Sequence, residues 1–164
     1  MLNKRLNAIL KVALAVSLTL PVFLTITDGE LQAASERSVV KPRALTPPPP
    51  ETQSIQSLEQ LTHIYKANGA VVPAGGLSVH VYTNTATYNQ MKSLKVDYRL
   101  ERWDGSTWLL YRSDTLSKSN TNVLKANSDW TVMSGYYYRV VSMHTAMDGA
   151  NSEKTTHISG SVLF

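Results

Sequence analysis

Apolar and polar residues alternate with a period of two over much of the chain beyond residue 60. Leu77, Val79 and Val81 alternate with Ser78, His80 and Tyr82, and Leu94, Val96, Tyr98 and Leu100 alternate with Lys95, Asp97, Arg99 and Glu101. This spacing predicts strands with one face buried and one wet. Trp103-Asp104-Gly105-Ser106-Thr107-Trp108 places an Asp-Gly turn after the second of them and predicts a hairpin into residues 108–112. Further strands are expected at 61–66, 123–132, 135–145 and 158–164, which brings the count to about seven. Residues 55–66 are the ambiguous stretch. Ile55, Leu58, Leu61 and Tyr65 also fit one helix face, and Ser57-x-x-Gln60 has the form of a capping box. Strand is the expectation here, with helix as the alternative. Seven short strands linked by Asn, Gly and Ser clusters predict an all-β domain, an antiparallel β-sandwich over residues 55–164. Its length of about 110 residues supports one core but not two.

The N-terminal third has a different texture. Lys4, Arg5 and Lys11 precede an apolar run from Val12 to Ile26, and Leu31-Gln32-Ala33-Ala34 supplies small residues for a signal peptidase. Residues 1–33 are therefore expected to be a signal peptide cleaved after Ala33. The run falls short of the roughly 20 residues of a membrane-spanning helix and contains Pro21, so an uncleaved tether is the weaker alternative. Residues 34–54 follow, with Arg37, Lys41, Arg43 and four consecutive prolines, Pro47 to Pro50, and little apolar material to pack. Such a composition predicts a disordered leader with a stiff polyproline II spacer. The alternative is that the prolines are a ligand for a proline-recognition domain.

Charge and cysteine content narrow the function classes. Removing the signal peptide leaves 13 basic and 10 acidic residues, a net charge of +3 that is dispersed rather than clustered. Nucleic acid is thus not an expected partner. The absence of cysteine leaves neither disulfides nor thiol chemistry. His63, His80, His144 and His157 have no zinc-ligand spacing, and no G-x-S-x-G elbow surrounds any serine. Neither a catalytic residue nor a cofactor is assigned. Asp148-Gly149-Ala150-Asn151-Ser152-Glu153 offers oxygen ligands that suggest calcium, but lacks the EF-hand order; an Asp-Gly turn is the simpler expectation.

The aromatic residues carry more information. Trp103 and Trp108 flank the turn, Tyr111 follows, and Tyr136, Tyr137 and Tyr138 run consecutively, so they cannot all face one core. Trp103, Trp108, Tyr111 and Arg102 form the candidate ligand platform, with Arg99 and Arg139 as further donors. The structural alternative is a cross-strand Trp pair that clamps the hairpin.

Residues 132–140, Val-Met-Ser-Gly-Tyr-Tyr-Tyr-Arg-Val, resemble the sixth-strand signature of fibronectin type III and related immunoglobulin-like domains. The resemblance implies an immunoglobulin/fibronectin III-like sandwich in which Tyr138 forms a corner, its hydroxyl bonding back to the backbone. Tyr98 stands where that family has its core Trp. The whole chain is similar to small exported proteins of Gram-positive bacteria whose function is uncharacterised. The expected function is a secreted, non-catalytic binding or adhesion module of the cell envelope, acting on cell-wall glycan or another extracellular protein. A structural or accessory envelope protein and a secreted hydrolase are the alternatives. No permanent membrane span is expected after processing. Mass spectrometry of culture medium or cell wall should find a chain beginning at Ala34 or Ser35; an intact Met1 in the membrane fraction would contradict export.

Overall fold

The computed structural model describes residues 42–51 and 61–164. The expected signal peptide, residues 34–41 and 52–54 of the leader, and the possible capping box at 57–60 lie outside the described residues. The protein is all-β and antiparallel. Among the described residues there are six strands, β1 (Ile64–Gly75), β2 (Ser78–Trp103), β3 (Trp108–Thr131), β4 (Tyr137–Asp148), β5 (Asn151–Ile158) and β6 (Val162–Leu163). They belong to one sheet, curled into a half-barrel.

The strand count differs from the expected seven because four expected strands are two. Residues 78–82 of the first and all of 94–101 lie on the single 26-residue β2, with Leu77 in the turn before it, and residues 108–112 and 123–132 fall almost wholly on the 24-residue β3. In β2 the buried positions are odd-numbered at Val79, Val81, Thr83, Thr85 and Thr87, and even-numbered at Leu94, Val96, Tyr98 and Leu100. The strand therefore exchanges its buried face near Met91, where the pairing with β3 is irregular between Ala86 and Met91. Threonines at 83, 85 and 87 keep the chain extended up to the bend, because β-branched residues favour the pleated conformation.

One edge of β2 is shared in succession. Its first part, from Ser78 to Thr87, pairs with β1, and the part from Ser93 to Arg102 pairs with β4. β3 follows the other edge on both sides of the bend. Curling brings β1 against β4 and β5. At Gly69 an added Cβ would lie 3.2 Å from Val140 Cγ1 and 3.3 Å from Ser142 Oγ, a tight fit that would require the facing strand to give by a few tenths of an ångström. Between them lies a core that includes Ile64, Val79, Val81, Leu94, Val96, Leu100, Leu124, Tyr138 and Val140. Each such side chain contributes about 1.5–3 kcal/mol on burial.

The last expected strand, 158–164, is mostly irregular. Residues 151–158 form β5 instead, and only Val162 and Leu163 pair again, with β4. Asp148 and Asn151 close a tight turn from β4 to β5. The carboxylate of Glu153 accepts the backbone N–H groups of Thr62 at 2.7 Å, His63 at 3.0 Å and Ile64 at 2.7 Å. Burial pushes this carboxyl up, but those donors outweigh it and hold it below its ordinary value. Its oxygens are thus committed to the entry of β1 rather than to a cation.

His144 is the largest polar side chain in the interior. It is fully buried, with Nδ1 at 2.6 Å from Thr85 Oγ1 on β2 and Nε2 at 2.9 Å from Ser142 Oγ. Burial, aided by nearby His157, pushes its pKa down to about 4. Between pH 6.5 and about 4 the unfolded chain binds a proton that the folded chain refuses, so stability falls as pH falls through this window. The loss should be roughly 3 kcal/mol. Urea denaturation at pH 7.5 and 4.5 measures it, and His144→Asn should remove most of the difference whatever its effect at pH 7.5. Below about pH 4 the depressed Glu153 should add a further loss.

Candidate functional site

The turn between β2 and β3 builds the end of the molecule on which the aromatic residues gather. The Asp104 carboxylate accepts the backbone N–H of Ser106 at 2.8 Å and of Thr107 at 2.7 Å, and also both hydroxyls. Thr107 and then Ser106, through these N–H groups, pull the Asp104 pKa down to about 2. Gly105 occupies a φ of 106°, open to glycine at no steric cost. The turn therefore spans four residues, and it sets Trp103 opposite Trp108. Their ring centroids are 5.3 Å apart at 51°.

The outward face continues from this pair. Glu101 lies directly across from Arg139 on β4, and Arg139 Nε donates to Glu101 Oε2 at 2.8 Å. Arg99 Nε donates to the other carboxylate oxygen at 2.7 Å. Held by Glu101, the Arg139 guanidinium lies 4.2 Å from the centroid of the Trp108 ring. Beside them opens a cavity of about 190 Å³, lined by Trp108, Arg139, Ser159, Gly160 and Ser161 on one side and by Pro50 and Glu51 on the other.

The inward face holds a separate aromatic group. Arg102 lies 4.7 Å from the Tyr136 ring centroid and 6.0 Å from that of Tyr111, and Arg112 also covers Tyr111, at 5.1 Å. Tyr111 meets Tyr138 edge-on at 5.3 Å, and Tyr138 meets Phe164 in the same way at 5.7 Å. The buried Tyr138 hydroxyl accepts the Met133 N–H at 3.0 Å and lies 3.3 Å from the Met133 carbonyl, to which it donates. That is a bond from the start of β4 back to the backbone five residues upstream.

The four expected platform residues are therefore not one surface. Trp103 and Trp108 share a face with Arg139, whereas Arg102 and Tyr111 pack with Tyr136 and Tyr138. The reason is elementary: Arg102 and Trp103 are neighbours in a strand and point to opposite faces. Trp103 is only 6% exposed, which leaves Trp108 as the ring at the cavity.

The leader, expected to be disordered over 34–54, has its described residues 42–51 laid along this end. Leu45 N–H donates to the Gly135 carbonyl at 2.8 Å, and Trp103 Nε1 donates to the Pro47 carbonyl at 3.1 Å. These contacts use the backbone carbonyls of Gly135 and Pro47, which a count of apolar side chains does not register. Ser159, Gly160, Ser161 and Glu101 were also missed as lining or support. An acidic residue in an otherwise buried stretch was the available signal for Glu101. The histidines fall elsewhere: His80 Nδ1 lies 2.6 Å from Asp129 on an exposed face, His157 Nδ1 accepts the Gly69 N–H, and His63 lies at the entry of β1. Among the described residues no group of three or more His, Asp or Glu could hold a metal ion. No protein-family model, curated protein or solved structure matches the chain.

The two tryptophans should separate in stability. Trp103→Ala empties a buried site and should cost about 3–5 kcal/mol. Trp108→Ala loses a half-exposed ring and should cost about 1 kcal/mol. Urea titration of both variants checks the order; equal losses would mean that Trp108 is as much a part of the clamp as Trp103.

Proposed function

We propose that the chain is a secreted, non-catalytic binding module of the bacterial cell envelope, whose ligand is cell-wall glycan or another extracellular protein. The observation that carries this reading is the Trp108 ring with Arg139 fixed over it, 2.8 Å from Glu101, at the edge of the 190 Å³ cavity. The cavity lining suits recognition: an apolar ring, a preorganised guanidinium and the hydroxyl of Ser161, with the Ser159 hydroxyl committed to the Val140 N–H and the Gly160 carbonyl. A sugar ring or a peptide carbonyl meets its requirements in such a setting. Export rests on the signal-like residues 1–33. An immunoglobulin/fibronectin III-like relationship is part of the proposal, supported by the Tyr138 bond to Met133, with the half-barrel taken as an open variant of the sandwich.

A structural role in the envelope is the second reading, favoured by the burial of Trp103 as a hairpin clamp. Sedimentation of the full chain with purified cell-wall fragments separates the two. Binding should fall at least tenfold in Trp108→Ala and be unchanged in Leu110→Ala, whose side chain is exposed on the same hairpin. An absence of wild-type binding, or binding insensitive to Trp108, would leave the structural reading.

A further inference from the structure

The tetraproline segment touches the Trp103–Trp108 end at two points, the Pro47 carbonyl and Pro50, while Pro47, Pro48 and Pro50 stay exposed. Each proline ring fixes φ near −65°, and each residue that precedes a proline is pushed out of the helical region. Pro47 to Pro50 therefore hold a polyproline II form before any contact is made, which keeps the ordering cost of docking small. The segment then passes over aromatic residues. The Trp103 indole N–H donates to the Pro47 carbonyl at 3.1 Å. Thr46 and Pro47 lie over the turn, where a Cβ on Gly105 would be 3.6 Å from Thr46 Cγ2 and 3.7 Å from Pro47 Cδ. At one end Leu45 is fastened to Gly135, and a Cβ there would fall 2.5 Å from Leu45 Cγ. At the other end Pro50 reaches the Trp108 cavity. An indole donor to a proline carbonyl, with further aromatic surface beyond, is the chemistry by which proline-rich segments are read.

We propose that the Trp103–Trp108 end is a receptor for an extended proline-rich segment, filled in cis by residues 45–50 and able to accept the same segment from a second copy of the chain. The inference rests on the reading of this end as the recognition end, and adds a peptide ligand class to it. The cis fit is imperfect. Thr46 Oγ1 is buried without a hydrogen-bond partner, a penalty that weakens the latch and is the same whichever copy supplies the segment. The latch is thus releasable, and its departure uncovers the Trp103 ring and the wall of the cavity formed by Pro50 and Glu51.

The test uses the full chain with Pro47, Pro48, Pro49 and Pro50 replaced by Gly and Ser, and a synthetic peptide of residues 43–51. The indole proton of Trp103, identified by its loss in Trp103→Phe, should shift in the proline-free chain and return towards its wild-type position as peptide is added. The proline-free chain should bind the peptide at least tenfold more tightly than wild type, in which the site is already filled. Thr46→Val in the otherwise native chain should weaken residual peptide binding further by tightening the latch. An indole signal that is identical in wild-type and proline-free chains overturns the proposal, and so does peptide binding of equal strength to both. Wall-fragment binding is a separate readout. Its loss with peptide binding retained removes only the envelope ligand, and peptide failure with Trp108-dependent wall binding removes only the proline receptor.

Discussion

The architecture depends on the bend in the β2–β3 hairpin. Strands of 26 and 24 residues are several times the usual length, and left straight they would offer two long faces with nothing to cover them. Moving the buried face of β2 from odd to even positions near Met91 turns the hairpin back on itself, so that one half covers the other. β1 and β4 can then share one edge of β2 in turn, and the core closes without a second sheet. The interior polar contacts follow from the same bend. Thr85, before it, meets His144 on the strand that pairs after it, and Tyr98, after it, lies 2.7 Å from Ser128 on β3.

Two large polar side chains inside this core, His144 and Tyr138, are tolerated because they are satisfied, whereas the buried Thr83 hydroxyl has no partner. His144 is flanked by two hydroxyls, and Tyr138 uses its hydroxyl on the Met133 backbone. An isolated buried polar group costs about 1–3 kcal/mol, so such groups make sense only as pairs that fix which segments meet. The Glu101–Arg139 pair does comparable work on the outward face: it aims a guanidinium at Trp108 that would otherwise move freely on a flexible stem. The same ion pair thus spans β2 and β4 and fixes the guanidinium beside the Trp108 ring.

The sequence was most legible where apolar residues alternate. Val79 to Val81 and Leu94 to Leu100 read as strands, Asp104-Gly105 as a turn and Trp103 with Trp108 as a cross-strand pair, because these features are local. Continuity was hidden. Thr83, Thr85 and Thr87 count as polar in an alternation pattern yet are buried, and residues 112–120 of β3 are exposed throughout, so they carry no pattern at all. Their strand character comes from pairing with β2, a non-local fact. The site was half legible for a similar reason: sequence proximity grouped Arg102 and Tyr111 with the tryptophans, whereas strand alternation and the bulge between Leu100 and Glu101 divide them. Nothing local says that residues 45–50 lie on Trp103, since backbone carbonyls have no sequence signature.

Glu153 joins the entry of β1 to a strand about 90 residues later in the chain. A chain that emerges from its N-terminus delivers the whole of β1, β2, β3 and β4 before this carboxylate. Until then Thr62, His63 and Ile64 have no carboxylate to receive their N–H groups, and the sheet has no β5 for β1 to lie against. Closure of the half-barrel at this point therefore requires β5 and cannot be completed by β1 to β4 alone.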